Sequence, residues 1–190
     1  MTSDGRYTRV AMALHWLIAL LVIGNLVLVW TVGWFPDAMV RPVIDTHKSI
    51  GITVLGLALL RILWRVSHAP PALPKAYGRP ERMAAGGAHL VLYGLILALP
   101  LSGWIHDSAF KDAAAHPLRL FGLVPWPRIG PIMALDPARK AAVHALWFSI
   151  HGALAYVLYV LLALHLLGVV KHQLFDREPV LRRMLPGRRP

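Results

Sequence analysis

The sequence predicts an all-α protein, an integral membrane four-helix bundle, and three observations lead to this prediction. The chain of 190 residues is 57% hydrophobic and only 15% charged. Its four apolar runs are each near the roughly 20 residues that a helix needs to cross the hydrocarbon core of a bilayer. None of them shows the alternating pattern of a membrane β-barrel, so helices that satisfy their own backbone groups remain as the spanning structure.

The four predicted spans follow one another along the chain at about residues 10–34, 46–66, 85–106 and 141–170. Proline-rich residues 68–82 cannot continue a helix and form the connection between the second and third spans. The connection of residues 107–140 is long, and loops of that length without regular structure are uncommon unless they are functional. Asp136 and Pro137 have the residue types of an N-cap and a first helical turn. We therefore expect residues 1–190 to form one domain with no soluble domain attached.

The net charge of +11 reflects membrane topology and gives no indication of a nucleic-acid partner. With an even number of spans, both termini lie on the same side of the membrane as the connection between the second and third spans. That side carries 13 of the 20 basic residues: Arg6, Arg9, Arg61, Arg65, Lys75, Arg79, Arg82, Lys171, Arg177, Arg182, Arg183, Arg188 and Arg189. The positive-inside rule then predicts cytoplasmic termini in a bacterial inner membrane, with residues 107–140 outside.

The chain contains no cysteine, which excludes several redox centres. Disulfides, thiolate zinc sites, iron–sulfur clusters and covalently attached c-type haem all require cysteine. A metal bound by this chain therefore has no thiolate ligand.

Histidines on different predicted spans match in depth. His151 and His165 are 14 residues apart, which places them on one face of the fourth helix and about 21 Å apart along its axis. His15, on the first span, matches the inner depth of His165. His47, on the second span, matches the outer depth of His151.

Two facing histidines in a helical bundle can provide both axial ligands of a haem iron. An imidazole must be neutral to bind the metal, and a neutral ring suits the interior of a membrane. Two such pairs at two depths would give an electron path across the bilayer. His89 is an alternative ligand at the inner level, or a contact for a haem propionate or a quinone, and His144 is an alternative at the outer level.

The chain resembles a known family in four stretches: ALHWLIALLVIGN, DTHKSIGITVLGLALLRILWR, GGAHLVLYGLILALPLSGW and IHGALAYVLYVLLALHLLGVVKHQLF. These stretches and the tail VLRRMLPG resemble bacterial cytochrome b561, a family related to the cytochrome b subunits of nickel–iron hydrogenases. The resemblance extends from about residue 5 to residue 187. It implies two non-covalent b-type haems, one held by His15 and His165 and the other by His47 and His151. It further implies oxidation of superoxide at the periplasmic face and transfer of the electrons to ubiquinone.

Positive charge near the outer haem would raise the encounter rate of an anion such as superoxide. Lys48, next to His47, is the candidate catalytic residue on this reasoning. The other outer candidates are Arg41, Arg119, Arg128, Arg139 and Lys140. Arg61 and Arg65 lie at the inner end of the second span, where they act either as membrane anchors or as partners of haem propionates.

Two other functions are compatible with the same residues. The chain could be a membrane anchor that carries electrons for a separate dehydrogenase or hydrogenase, with residues 107–140 as a docking surface for this redox partner protein. It could also be a proton or metal-ion transporter that uses the histidines. Haem bound to the purified protein would exclude the transporter and would leave the oxidoreductase and the membrane anchor as possible functions.

Overall fold

The computed structural model describes residues 5–72 and 77–185, and four long helices dominate it. They are α1 (Arg9–Thr31), α2 (Asp37–Ser67), α3 (Arg79–Ser108) and α5 (Pro137–Val170), and all four are long and apolar enough to cross a membrane. A helix of 23 residues, the shortest of the four, is about 35 Å long. The all-α, four-helix membrane architecture predicted from the sequence is confirmed. Lys75, Arg188 and Arg189, which were counted on the terminal side, lie outside the described residues.

Three of the helices begin earlier than the apolar runs indicated. α2 begins at Asp37, α3 at Arg79 and α5 at Pro137, and α5 continues into a π-helical turn at Lys171–Phe175. Hydropathy marks only the part of a helix that lies in lipid, whereas backbone hydrogen bonding continues into the polar turns on either side. For these three helices the predicted spans are therefore the apolar centres of longer helices, whereas the first predicted span, about 10–34, continues past the end of α1 at Thr31 into the 3₁₀ turn Val32–Trp34.

Side-chain caps fix the starts of three helices. The Thr8 hydroxyl accepts a hydrogen bond from the main-chain nitrogen of Ala11 at 3.2 Å, where α1 begins. The Asp136 carboxylate accepts from the Arg139 nitrogen at 3.0 Å at the start of α5, with Pro137 in the first turn. The predicted N-cap is thus confirmed. At α3 the Glu81 carboxylate accepts from the Gly78 nitrogen at 3.2 Å.

The helices do not pack equally against one another. α3 packs against α5, α1 against α2, and α2 against α3, while α5 makes only marginal backbone approaches to α1 and α2 among the described residues. Large apolar side chains cover the outside of the bundle, and Leu20, Leu63 and Val160 are each 60% exposed or more. Such a surface is stable only against lipid.

The segment after α5 folds back onto the start of α1. The Trp16 indole donates to the Met184 carbonyl at 2.7 Å, and the Tyr7 nitrogen donates to the Arg183 carbonyl at 3.1 Å. Nearby, Lys171 bridges Glu81 at 2.9 Å and Asp176 at 2.7 Å. These contacts hold together the start of α1, the start of α3 and the end of α5. We call this end of the bundle, where the first and last described residues lie, the terminal end.

The opposite end, which we call the loop end, carries a compact connection of residues 109–136. It contains a two-stranded antiparallel hairpin, β1 (Arg119–Leu120) and β2 (Val124–Pro125), and a short helix α4 (Gly130–Met133). The hairpin turns through Phe121 and Gly122, whose φ angles of 52° and 74° lie in the left-handed region that glycine favours.

Two buried serines attach this connection to the bundle. The Ser49 hydroxyl of α2 accepts from the Phe121 nitrogen at 2.9 Å, and the Ser108 hydroxyl of α3 accepts from the Ile129 nitrogen at 3.0 Å. Both serines are fully buried. The long connection is therefore an ordered cover over the ends of α2 and α3.

Candidate functional site

Two pairs of histidines face each other between helices at two levels of the bundle. The ring centres of His15 on α1 and His165 on α5 are 6.4 Å apart, with their planes at 68°. The ring centres of His47 on α2 and His151 on α5 are 6.1 Å apart, with their planes at 86°. The structure thus brings the four candidate histidines together in the pairs that matched in depth along the sequence.

The spacing within each pair fits a metal held between two imidazoles. A bond of about 2 Å from an imidazole nitrogen to the metal, with about 1 Å more to the ring centre, places two axial rings about 6 Å apart. Each pair would offer two nitrogen ligands to a haem iron. In residues 5–72 and 77–185 there is no group of three or more His, Asp or Glu side chains placed to hold a metal ion.

The packing of the helices also fits a haem between them. The pairs link α5 to α1 and to α2, which are the helices that α5 approaches least closely in the described part of the chain. A flat macrocycle between two helices requires such a separation, because close helix packing leaves about 8–10 Å between axes and no room for a ring system. The residues present therefore fit bis-histidine haem.

The level of His15 and His165 contains a third histidine. The His89 ring on α3 is 5.4 Å from that of His165, with the planes at 85°, and its Nδ1 donates to the Ala85 carbonyl at 2.6 Å. His89 therefore remains an alternative partner for His165. Of the two arginines proposed for propionates, Arg61 donates to the Ala11 carbonyl at 2.9 Å and lies 5.5 Å from the Tyr93 ring centre.

Lys48, the candidate catalytic residue, belongs to a network of ion pairs at the loop end. Its ammonium lies 3.1 Å from the Asp45 carboxylate and 2.9 Å from that of Asp107. Asp107 also binds the Arg128 guanidinium at 2.8 Å, and the side chains of Asp107 and Arg128 are each only 7% exposed. Arg128 completes its hydrogen bonding with the carbonyls of Ala113 and His116, both at 2.7 Å. Two cations thus face two carboxylates, so the network is formally neutral.

His144 and His106 form a separate pair at the loop end. Their rings stack at 3.9 Å, and each Nδ1 donates to the other residue's carbonyl, at 3.1 and 3.2 Å. His144 therefore packs against α3 and does not face His47. A groove of about 410 Å³ beside it is lined by Phe110, Lys111 and Lys140, among others. Neither lysine has a carboxylate partner among the described residues.

Sequence reasoning missed residues that only tertiary contacts reveal. Neither His106 nor His172 was a candidate from the sequence, yet His106 stacks on His144 at 3.9 Å and His172 stacks on Tyr77 at 4.3 Å. Asp107 and Ser102 were not singled out. Asp107 had a signal in the sequence, since it is a carboxylate at the end of an apolar span next to a loop rich in basic residues.

Comparison with known proteins gives consistent results over nearly the whole chain. The sequence profile described as prokaryotic cytochrome b561 matches residues 6–187. Cytochrome b561 homolog 2 of Escherichia coli K12 is 33% identical over 187 residues, which cover 95% of this chain and 91% of the relative. The probable superoxide oxidase CybB of Yersinia pestis is 30% identical over 188 residues, covering 97% and 98%. Cytochrome b561 homolog 1 of Escherichia coli K12 is 26% identical over 186 residues, covering 97% and 99%.

Four membrane-spanning helices with histidines paired across facing helices are the arrangement of a membrane cytochrome of the b type. The chain belongs to the prokaryotic cytochrome b561 family. It is accordingly a multi-pass protein of the bacterial inner membrane, an electron-transport oxidoreductase that binds haem b.

Proposed function

We propose that the protein is a di-haem b oxidoreductase in which His15 with His165, and His47 with His151, are the axial ligands. The observation that carries this proposal is the presence of two ring pairs, 6.4 and 6.1 Å apart, at two levels of one bundle. Haem b supplies reversible one-electron chemistry, and the contribution of the chain is to hold each imidazole in place. The two α5 ligands are about 21 Å apart along the helix, so the two sites together extend across much of the bilayer.

We further propose that the loop end faces the periplasm and that superoxide is oxidised there, with ubiquinone as the electron acceptor. The topology rests on the excess of basic residues at the terminal end. The substrate rests on the relative named probable superoxide oxidase. Each superoxide that becomes dioxygen releases one electron, so two superoxide ions and two protons convert one ubiquinone to ubiquinol.

The positive charges of the loop end support attraction of a small anion. Lys48 is not the only residue that supplies such a charge. Its charge is offset by Asp45 and Asp107, and its side chain is 20% exposed. Lys111 and Lys140 line the groove next to His144 and have no carboxylate partner in the described part of the chain, and His144 is one heptad, about 10 Å, from His151 along α5. We therefore propose that Lys48 acts close to the outer site while Lys111 and Lys140 raise the local anion concentration.

Removal of single ligands tests the haem assignment. His151→Ala is expected to lose the outer haem and keep the inner one, and His15→Ala is expected to do the reverse. The haem-to-protein ratio of purified protein, measured by absorption, gives the result directly. A ratio unchanged in both variants, or a colourless wild-type protein, would overturn the proposal.

Stopped-flow mixing of the oxidised protein with superoxide tests the substrate. Haem reduction is expected to be fast, to slow with increasing salt, and to be slower in the Lys111→Gln/Lys140→Gln double variant. Lys48→Gln tests the candidate catalytic residue in the same assay. Arg139→Gln is the matched control, because Arg139 is exposed and already paired with Asp136 at 3.3 Å. Absence of haem reduction by superoxide would refute this substrate.

A second function is favoured by one feature of the hairpin. Phe121, Leu123 and Val124 at its tip are all more than half exposed, and an apolar tip on an ordered loop is suited to contact another protein. The chain would then be the membrane anchor that carries electrons for a separate dehydrogenase or hydrogenase. Indifference to superoxide combined with stable co-purification of such an enzyme, lost in Phe121→Ser, would favour this alternative.

A further inference from the structure

Among the residues that the structure describes, the outer ligand His151 has hydrogen-bond partners that the other three candidate ligands lack. Its Nδ1 lies 3.1 Å from the Leu99 carbonyl and 2.9 Å from the Ser102 hydroxyl, both on α3. Ser102 itself is 1% exposed and donates to the same Leu99 carbonyl at 2.8 Å. The His151 Nδ1, the Ser102 hydroxyl and the Leu99 carbonyl therefore all lie within hydrogen-bond distance of one another between α3 and α5.

The bonding pattern determines which nitrogen of His151 carries the proton. A carbonyl oxygen can only accept, so contact with Leu99 requires a hydrogen on Nδ1. The Ser102 hydroxyl gives its own hydrogen to Leu99, which leaves its oxygen free to accept from the same Nδ1–H. Nε2 is then unprotonated, which is the form that can bind a metal.

Gly103 sets the distance between the His151 ring and α3. A Cβ at this position would lie 3.3 Å from Cε1 and 3.5 Å from Nδ1 of His151, closer than ordinary van der Waals contact for the first of these atoms. Gly94, on the same helix, has nothing within 4 Å of such a Cβ. The His151 ring therefore packs against the backbone of α3 at Gly103. One turn earlier on the same helix, the Leu99 carbonyl accepts a hydrogen bond from the His151 Nδ1.

The other candidate ligands are held differently. The Nδ1 of His47 is buried and has no hydrogen-bond partner in the described part of the chain, although the Asn25 carbonyl lies near the ring. Neither His15 nor His165 makes a hydrogen bond through its ring to another described residue. The orientation of His151 is thus fixed by the protein alone, whereas the other rings have fewer constraints.

We infer that Ser102, the Leu99 carbonyl and Gly103 form a positioning site that fixes the ring plane of His151 and strengthens it as a ligand of the outer haem. The inference rests on the proposed ligation by His47 and His151. A hydrogen bond from the second ring nitrogen raises the basicity of a metal-bound imidazole, which favours the ferric state of the iron. The fixed plane also holds the 86° angle between the two outer rings.

Ser102→Ala tests the positioning role in the haem-loaded, full-length protein. Low-spin ferric EPR spectra depend on the angle between the two axial imidazole planes, and a redox titration gives the midpoint potential of each haem. We expect both haems to remain bound, the EPR signal of the outer haem to change, and its potential to rise, with the inner haem unaltered. Ser102→Thr keeps the hydroxyl and is expected to restore both properties towards wild type.

Ser149→Ala is the matched control for the loss of a serine, because Ser149 lies on α5 near His151 but, within the described ranges, bonds only the Ala145 carbonyl. Gly103→Ala, with Gly94→Ala as its control, is expected to lower the occupancy of the outer haem or to shift the same EPR signal. Ser102→Ala and Gly103→Ala proteins with two haems, wild-type EPR spectra and wild-type potentials would overturn the inference. If His151→Ala still bound two haems, the proposed ligation itself would fail, so the two failures are distinguishable.

Discussion

Removal of the Asp107 carboxylate is expected to release the cover of residues 109–136 from the bundle. Asp107 joins the end of α3 to Lys48 of α2 and to Arg128 of the connection, at 2.9 and 2.8 Å. In Asp107→Asn the Arg128 guanidinium stays buried without a counter-charge. Loss of one partner of a buried ion pair costs about 3–5 kcal/mol. Arg128 keeps two carbonyl acceptors, so we take the lower end of that range.

A cost of about 3 kcal/mol corresponds to about a 100-fold larger population of the locally open cover. Cleavage by trypsin after Arg119, followed by mass spectrometry on protein in lipid nanodiscs, reports that population when the cover opens and closes faster than it is cut. We therefore expect cleavage of Asp107→Asn to be about 100-fold faster than that of the wild type.

Asp112→Asn is the matched control, since Asp112 is an exposed carboxylate of the same connection. In Asp107→Asn/Arg128→Met the unpaired charge is gone, and partial recovery of protection is expected, because an uncharged pair can replace a buried ion pair at little cost. Equal cleavage rates for Asp107→Asn and Asp112→Asn would refute the reasoning.

Three further predictions concern other parts of the molecule. His89→Ala is expected to retain two haems per chain, as measured by absorption, whereas loss of one haem would make His89 the inner ligand. Ser49→Ala removes the acceptor of the part-buried hydrogen bond from the Phe121 nitrogen and is expected to weaken attachment of the hairpin by about 0.5–1.5 kcal/mol, read as faster cleavage after Arg119. Hydrogen bonds from Lys171, and then from His172, lower the pKa of Asp176. The stabilisation they provide is present above the ordinary pKa of an aspartate and is lost as the pH falls through the lowered value, so the thermal midpoints of wild type and Asp176→Asn should converge there.

The sequence was sufficient for features that depend on local pattern or on position along a helix. Apolar runs gave the four spans, and a 14-residue spacing placed His151 and His165 on one face of α5. Because antiparallel helices in a bilayer share one depth scale, counting residues from the basic ends also placed His47 level with His151, and placed His15, together with the alternative His89, level with His165. Residue types alone indicated the Asp136 cap and the proline that follows it.

Other features depended on which side chains meet in three dimensions. The sequence placed Lys48 beside His47, but its neutralisation by Asp107 depends on how the ends of α2 and α3 approach each other. His106 was not a candidate from the sequence, and only the packing of α3 on α5 explains why it stacks on His144. The starts of α2 and α3 were missed because polar helical turns outside lipid carry no hydropathy signal.

The sequence by itself determined the class of the protein, since a membrane leaves few ways to satisfy backbone hydrogen bonds and only apolar helices of sufficient length meet the requirement. It also determined which histidines share a level, because depth is a one-dimensional coordinate along each helix. Only the tertiary structure decided that the long connection is an ordered cover and that Ser102, Leu99 and Gly103 hold His151. These features depend on the rotation and separation of neighbouring helices, and side-chain packing across the interface sets both.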